Sequence, residues 1–220
     1  MKRDTATLSW EPVASQAEMN ASLQQSPIKV LSYPTRQYVE SNFLSSGYHG
    51  LAVLNPLFDR SGRFVTWRSA LGRDVKLDHG IQNELKLACQ ASPQLRPPTS
   101  GLMPDMLSEA LLRHTGGVAN GFFWDGRVEV ATIVGSKTLP RVEIPDYGKF
   151  VFARRLPSKT LTAIDAILPN YGWSSNGAQI LLQGIDSVET YLVSQSLSVL
   201  DAVQNNSLFE SVRLESPQLG

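Results

Sequence analysis

Residues Val118–Val134 read VANGFFWDGRVEVATIV. The first half sets Phe122, Phe123 and Trp124 side by side before Asp125-Gly126, a dipeptide that favours a tight turn. The second half alternates charged Arg127 and Glu129 with apolar Val128, Val130 and then Ile133, the period of a strand with one buried face. Upstream, MPDMLSEALLRHTGG predicts a helix. Pro104 suits its first turn, Asp105 and Glu109 favour its positive end, and Gly116 can end it. Leu107, Ala110, Leu111 and His114 share the inner face of that helix.

Working outward, TATLSWE (5–11) and SPIKVLSYP (26–34) read as strands, the second ended by Pro34. FDRSGRFVTW (58–67) holds a Ser-Gly turn between Phe58 and the alternating Phe64 and Thr66, a hairpin pattern. GIQNELKLACQA (80–91) has helical spacing, and SPQLRPPTSG (92–101) is a loop. GSKTLPRVEIPDYGK (135–149) carries too much Pro and Gly for a central element, whereas FVFARRLP (150–157) reads as a strand. SKTLTAIDAILP (158–169) predicts a helix capped by Ser158 and stopped by Pro169, followed by a buried strand over AQILLQGI (178–185). Beyond Ser187, Leu192, Val199 and Val203 fall at helical spacing. Strands mixed with helices through short loops point to one α+β domain over residues 1–220.

The chemistry most easily read from sequence is missing. His49, His79 and His114 lie in three separate elements, with no Cys-x-x-Cys or His-Glu-x-x-His among the motifs. No Walker loop, Gly-x-Gly-x-x-Gly or Gly-x-Ser-x-Gly occurs, so no enzyme, metal or cofactor is expected. The single cysteine, Cys89, reads as a small buried hydrophobe. The longest apolar runs fall short of the ~20 residues of a membrane helix. No apolar stretch follows the basic Lys2 and Arg3, so a cytoplasmic location away from membranes is expected.

The zero formal net charge hides segregation. Residues 27–76 hold seven cations against three carboxylates, residues 113–159 eight against four, and residues from 160 onward one against six. Rings stand beside these cations: Lys29 with Tyr33 and Arg36; Phe64 and Trp67 with Arg68; Trp124 with Arg127; Phe150 and Phe152 with Arg154 and Arg155. Cations that neutralise phosphates and rings that stack on unpaired bases suit single-stranded nucleic acid. Each ring has a second reading as core. Phe122 and Phe123 read that way, while Trp124 stays open between core and contact.

VANGFFWDGR resembles the motif after the central helix in the backbone subunit of type I-F (Csy-type) CRISPR surveillance complexes, within the Cas-seven family. TLSWEPVASQAEMNASL is similar to that family's opening strand and loop, and PIKVLSYPTRQYVE to its basic strand ending in Val-Arg-Gly. LTAIDAILPNYG and AQILLQGIDSV resemble its Ile-Asp-x-x-x-Pro helix end and following strand, in the same order. Thr35-Arg36-Gln37 replaces Val-Arg-Gly, and Trp-Asp-Gly-Arg lacks one basic residue, so the resemblance is to a compact variant.

The resemblance implies an RRM-like (ferredoxin-like) antiparallel sheet with helices on one face and thumb or web insertions, the candidates being 55–76 and 135–149. It implies a non-enzymatic subunit that polymerises head-to-tail along a guide RNA (crRNA) and presents it for pairing with target nucleic acid, expected to be DNA, beside other CRISPR effector subunits. The RNA-binding residues expected are Lys29, Arg36, Trp124, Arg127, Lys137, Arg141, Arg154, Arg155 and Lys159. Two alternatives stand beside this reading: a single-copy subunit capping the 5′ end of the guide, and a structural or interaction protein of a mobile element whose rings are core.

Overall fold

A computed structural model describes residues 7–77, 80–98, 101–115, 118–128, 130–131, 138–158 and 168–215. Among them, nine strands form one antiparallel sheet: β1 (Thr7–Pro12), β2 (His49–Leu54), β5 (Val118–Trp124), β6 (Arg141–Ile144), β7 (Gly148–Ser158), β8 (Tyr171–Ser174), β9 (Gln179–Gln183), β10 (Glu189–Ser194) and β11 (Glu210–Leu214). The order is β1-β7-β5-β8-β9-β10-β2-β11, and β6 also pairs with β7. Because β5 takes one edge of β7, β1 and β6 share the other end to end. β6 faces Gly148–Val151, and β1 faces Ala153–Ser158. A second, two-stranded sheet joins β3 (Leu57–Phe58) to β4 (Phe64–Val65).

The pleat sends alternate residues to two cores. On β7, Val151 and Ala153 enter the first core, and Phe150 and Phe152 the second. On β10, Leu192 opposes Tyr191 and Val193 in the same way. The first core is closed by α5 (Asp105–His114) and α6 (Leu197–Gln204), through Leu107, Leu111, Leu200 and Val203. The second is closed by α1 (Gln16–Gln25), the segment 26–35 and α2 (Arg36–Asn42), through Met19, Ile28 and Val39. Helices therefore cover both faces, where the sequence resemblance implied one. The cause lies in the strands, several of which are apolar on both sides and require two covers.

β5 decides how the opening stretch is used. Its register slips between Val118 and Asn120, a bulge that lets Val118 and Phe123 share the first core although five residues apart. Phe122 then turns to the second core, and both phenylalanines are fully buried, each worth about 2–3 kcal/mol by area. The strand is thus the ring-rich half of the motif. After the Asp125-Gly126 turn the backbone is helical at Val128, Val130 and Ala131, with Ala131 N–H donating to Arg127 O at 2.7 Å. The strand expected over the charged half is not formed there. Alternation over so few residues is also compatible with a helical turn burying Val130.

Other differences have equally local causes. Residues 26–34 are an irregular cover and not a strand. Tyrosine hydroxyls meet their carbonyls in place of a ladder, with Tyr171 donating to Ser32 O at 2.7 Å and Tyr38 to Val30 O. Leu192, spaced like a helical residue, lies in β10, and the helix begins later at Leu197. The helix expected at 158–169 falls largely outside the described residues.

A third cluster mounts the small hairpin on the body. Trp67 opens α3 (Trp67–Leu71), is fully buried, and donates its indole N–H to Asn55 O at 2.7 Å. Glu210 of β11 accepts from the backbone N–H groups of Trp67 and, at 2.7 Å, Arg68, capping that short helix from the sheet. Glu84 of α4 (Ile81–Ala91), 1% exposed, takes both amino groups of Arg73 at 2.8 and 3.0 Å.

Candidate functional site

Seven of the nine expected RNA contacts lie among the described residues; Lys137 and Lys159 do not. Arg127 is 7% exposed. Its guanidinium donates to Gly101 O at 2.6 Å, Gln183 Oε1 at 3.3 Å and Leu168 O at 3.4 Å, so it ties the segments at Gly101 and Leu168 to the end of β9 inside the protein. Arg154 and Arg155 are neighbours on β7 and therefore face opposite sides of the sheet. Arg154 meets Ser22 Oγ at 2.9 Å and Glu18 at 3.3 Å, above the ring of Phe152. Arg155 stands over the ring of Trp10, 5.8 Å from its centroid, on the other side.

Arg141 pairs with Asp125 at 2.9 Å and also donates to Leu139 O. Lys29 is exposed and donates to Ser26 O at 2.7 Å, while Arg36 pairs with Glu40 at 2.6 Å. Trp124 is half-buried. Its backbone N–H donates to Asn170 Oδ1 at 2.9 Å, and its indole lies across two turns. A Cβ on Gly126 would come within 2.3 Å of that ring, and one on Gly148 within 2.9 Å. The two glycines are the space the indole occupies.

Lys29, Arg36, Trp124 and Arg154 thus belong to the side closed by α1 and α2, whereas Arg155 faces away and Arg127 is enclosed. The set does not share one surface. Among the described residues, most acids of the stretch from 160 onward are engaged within the protein, Glu215 being the exposed exception. Asp201 pairs with Arg213 at 2.6 Å, Glu210 caps α3, Asp186 accepts from Tyr33, and Glu189 is buried. Sequence counts register net charge; they are blind to local pairing.

What does stand clear is the hairpin. Across β3 and β4, Phe58 and Phe64 meet edge to face, with centroids 5.5 Å apart, and Phe64 is 41% exposed. Between them the chain turns through Asp59–Arg63. Asp59 accepts from Ser61 N–H (2.8 Å), Ser61 Oγ (2.6 Å) and Arg63 N–H (3.0 Å), and its carboxyl is held well below its ordinary range, chiefly by the Ser61 hydroxyl. With the turn fixed, Arg60 and Arg63 are displayed at its tip, the Arg63 side chain 83% exposed while bonded through Nε to Asp59. Arg96 adds a third exposed cation, because its backbone brackets Phe58 with two bonds of 3.0 and 2.7 Å. FDRSGRF carried the signal for the first two arginines. Nothing in sequence places Arg96 beside them.

A second constellation lies beyond the N-terminal end of α2. Tyr33, Arg36, Gln82, Asn83, Glu189 and Tyr191 line a cavity of about 290 Å³. Glu189 accepts from Tyr191 Oη at 3.1 Å and Val188 N–H at 3.2 Å, and burial raises its carboxyl above the ordinary range. Burial likewise raises the Tyr33 and Tyr191 hydroxyls, and lifts Tyr38 to about 12.

Among the described residues no group of three or more His, Cys, Asp or Glu could hold a metal ion, and no helix is long and apolar enough to cross a membrane. Comparison with protein-family models, curated proteins and solved structures finds no match.

Proposed function

We propose that this chain is a non-catalytic, guide-RNA-binding backbone subunit of a type I-F-like CRISPR complex, with an RRM-like core and the β3–β4 hairpin as its thumb. The observation that carries the reading is that hairpin. It stands outside the main sheet, has a turn locked by Asp59, and exposes Arg60, Arg63 and the ring of Phe64, with the exposed Arg96 bridged to Phe58 from a separate segment. Guanidinium groups beside an exposed ring suit a strand that offers phosphates and unstacked bases together. The order of sequence motifs along the chain supports the same reading, as does an antiparallel α+β architecture.

In this reading the hairpin takes over the role first expected of Arg127 and Arg155, whose side chains serve the interior and the opposite face. Copies associate head-to-tail on the RNA and leave its bases to pair with target DNA, while other subunits complete the particle. Sequence specificity resides in that pairing.

The test is purification of the intact chain with its bound material. Absorbance typical of a nucleoprotein and a ladder of copies on sizing are expected. Substituting Arg60 and Arg63 together by alanine should weaken binding to single-stranded RNA at low salt. Two lost phosphate contacts flatten the plot of log affinity against log salt by roughly 1.4, at about 0.7 per phosphate for single strands. Pure protein that stays monomeric with added RNA, or an unchanged salt slope in the double variant, refutes the proposal.

A further inference from the structure

We propose that successive copies of this chain join by sheet extension, β1 of one copy pairing with the outer edge of β11 of the next. This pairing rests on the head-to-tail association proposed above and assigns its two surfaces; it uses neither the hairpin nor the RNA.

Topology favours the pairing. The path β1-β7-β5-β8-β9-β10-β2-β11 holds eight strands, and every neighbouring pair along it is antiparallel. With an even number of strands, the two ends run in opposite directions. A second copy set beside the first in the same orientation therefore brings its β1 antiparallel to β11, as all other neighbours in the sheet run. Among the described residues β1 pairs only with β7, and β11 only with β2. Alternate residues of each strand thus direct backbone N–H and C=O groups outward. β11 keeps an unbroken register over its five residues, with no proline or bulge to blunt the edge.

The edge of β11 also has room. Three cavities of about 240, 220 and 260 Å³ follow the strand from Phe209 to Glu215, each sharing residues with the next. One wall is Gln204 of α6, on the first-core face, where Arg213 meets Asp201 and Gln204. The other wall is α3 and the segment after it, through Arg68, Asp74, Val75 and Lys76. There Val212, alternating with Arg213, packs in the third cluster with Val75. Walls from both faces of the sheet place the opening at the strand's edge, where an added strand makes its ladder.

Charge selects a second copy as the occupant. On β1, Trp10 enters the first core, so Glu11 turns to the second-core face, where it is exposed. Arg154, opposite Glu11 on β7, is taken by Glu18 and Ser22, and Glu11 has no ion pair among the described residues. Lys76 is exposed beside β11 on that same face. It too has no ion pair there, since Asp74 is held by Arg68 at 2.6 Å and Glu84 by Arg73. Glu215, the exposed acid at the end of β11, alternates with Leu214 to the other face. Extending the sheet keeps its faces aligned, so the carboxylate of one copy arrives on the face that carries the ammonium of the next. A twofold pairing of β11 with itself would set Lys76 toward Lys76 and close after two copies.

Sedimentation of the intact chain at low salt, alone and with single-stranded oligouridylate, tests this contact, with hydrogen exchange read on the same samples. Amides of residues 7–12 and 210–214 should gain protection on assembly. Glu11→Lys and Lys76→Glu should each weaken association between copies about three- to fivefold. An equimolar mixture of the two variants should restore it, because a row in which they alternate matches opposite charges at every contact. Assembly without new protection in those two strands overturns the inference and leaves the guide-RNA reading standing, as does a mixture no better than its components. Protection and rescue that are indifferent to RNA support the sheet contact and count against the guide-RNA reading. A chain that stays monomeric with and without RNA refutes both.

Discussion

Replacing Arg127 by methionine tests whether this arginine belongs to the interior or to an RNA surface. Methionine keeps the length and apolar stem of the side chain but removes its donors. The 2.6 Å bond to Gly101 O is the strong one; those to Gln183 Oε1 and Leu168 O, at 3.3 and 3.4 Å, are weak. A hydrogen bond to a charged group is worth about 1.5–3 kcal/mol, and a buried acceptor left unmet costs about 1–3 kcal/mol. The substitution also removes the cost of burying a cation, which offsets part of the loss. The net expected is about 3 kcal/mol of destabilisation. For a chain of 220 residues this is roughly 6–12 °C in melting temperature, at about 2–4 °C per kcal/mol. Thermal melting would be followed by fluorescence, and RNA affinity by anisotropy well below the transition. The melt should fall while affinity and its salt dependence stay unchanged. An unchanged melt with a shallower salt slope would show that the guanidinium contacts RNA, and would refute the interior role.

Three further outcomes are expected. Gly101→Ala should cost about 4 kcal/mol or more, because Gly101 has φ of +70° and a Cβ there would lie 1.9 Å from Ile185 O; a variant melting within about 2 °C of the parent would contradict this. Gly121→Ala brings a Cβ within 2.6 Å of Pro169 Cβ, and overpacking against that rigid ring should cost about 1–3 kcal/mol in denaturant unfolding, with no loss expected only if the loop at Pro169 yields. Glu189→Gln should become more stable relative to the parent as pH rises. Burial raises the folded carboxyl above its ordinary 4.5, so the parent's protonated form is favoured on folding and that advantage is lost as pH climbs through the raised value. Melts compared at about pH 4 and pH 8 should coincide at the lower and favour the glutamine variant at the higher, and the reverse order would show the carboxylate to be stabilising.

The hairpin at 58–67, the helices at 81–91 and 105–114, and the strands at 7–12, 148–158 and 179–183 were legible because each is announced locally, by a turn dipeptide, a cap or a periodicity. β2 and β11 were not read as strands. β2 is buried on both faces, so its run HGLAVL lacks alternation, and β11 exists as a strand only because β2 offers it an edge. The charged half of the opening motif went the other way. Its alternation predicted a strand, but the turn at Asp125-Gly126 carries the chain off the sheet, and Val130 reaches the first core from a helical turn.

By itself, then, the sequence determined the α+β class, the burial of Phe122 and Phe123, and the hairpin that carries Arg60 and Arg63. Those features depend on neighbours a few residues away in the chain. Only the tertiary structure decided which cations are available. Whether a guanidinium meets a carbonyl, a carboxylate or solvent depends on partners far along the chain, as Gly101, Leu168 and Gln183 are for Arg127 and Glu18 is for Arg154. The same holds for the cavity at Glu189. Its lining comes from α2 and the segment before it, α4 and the chain leading into it, and β10, and it exists only where folding brings them together.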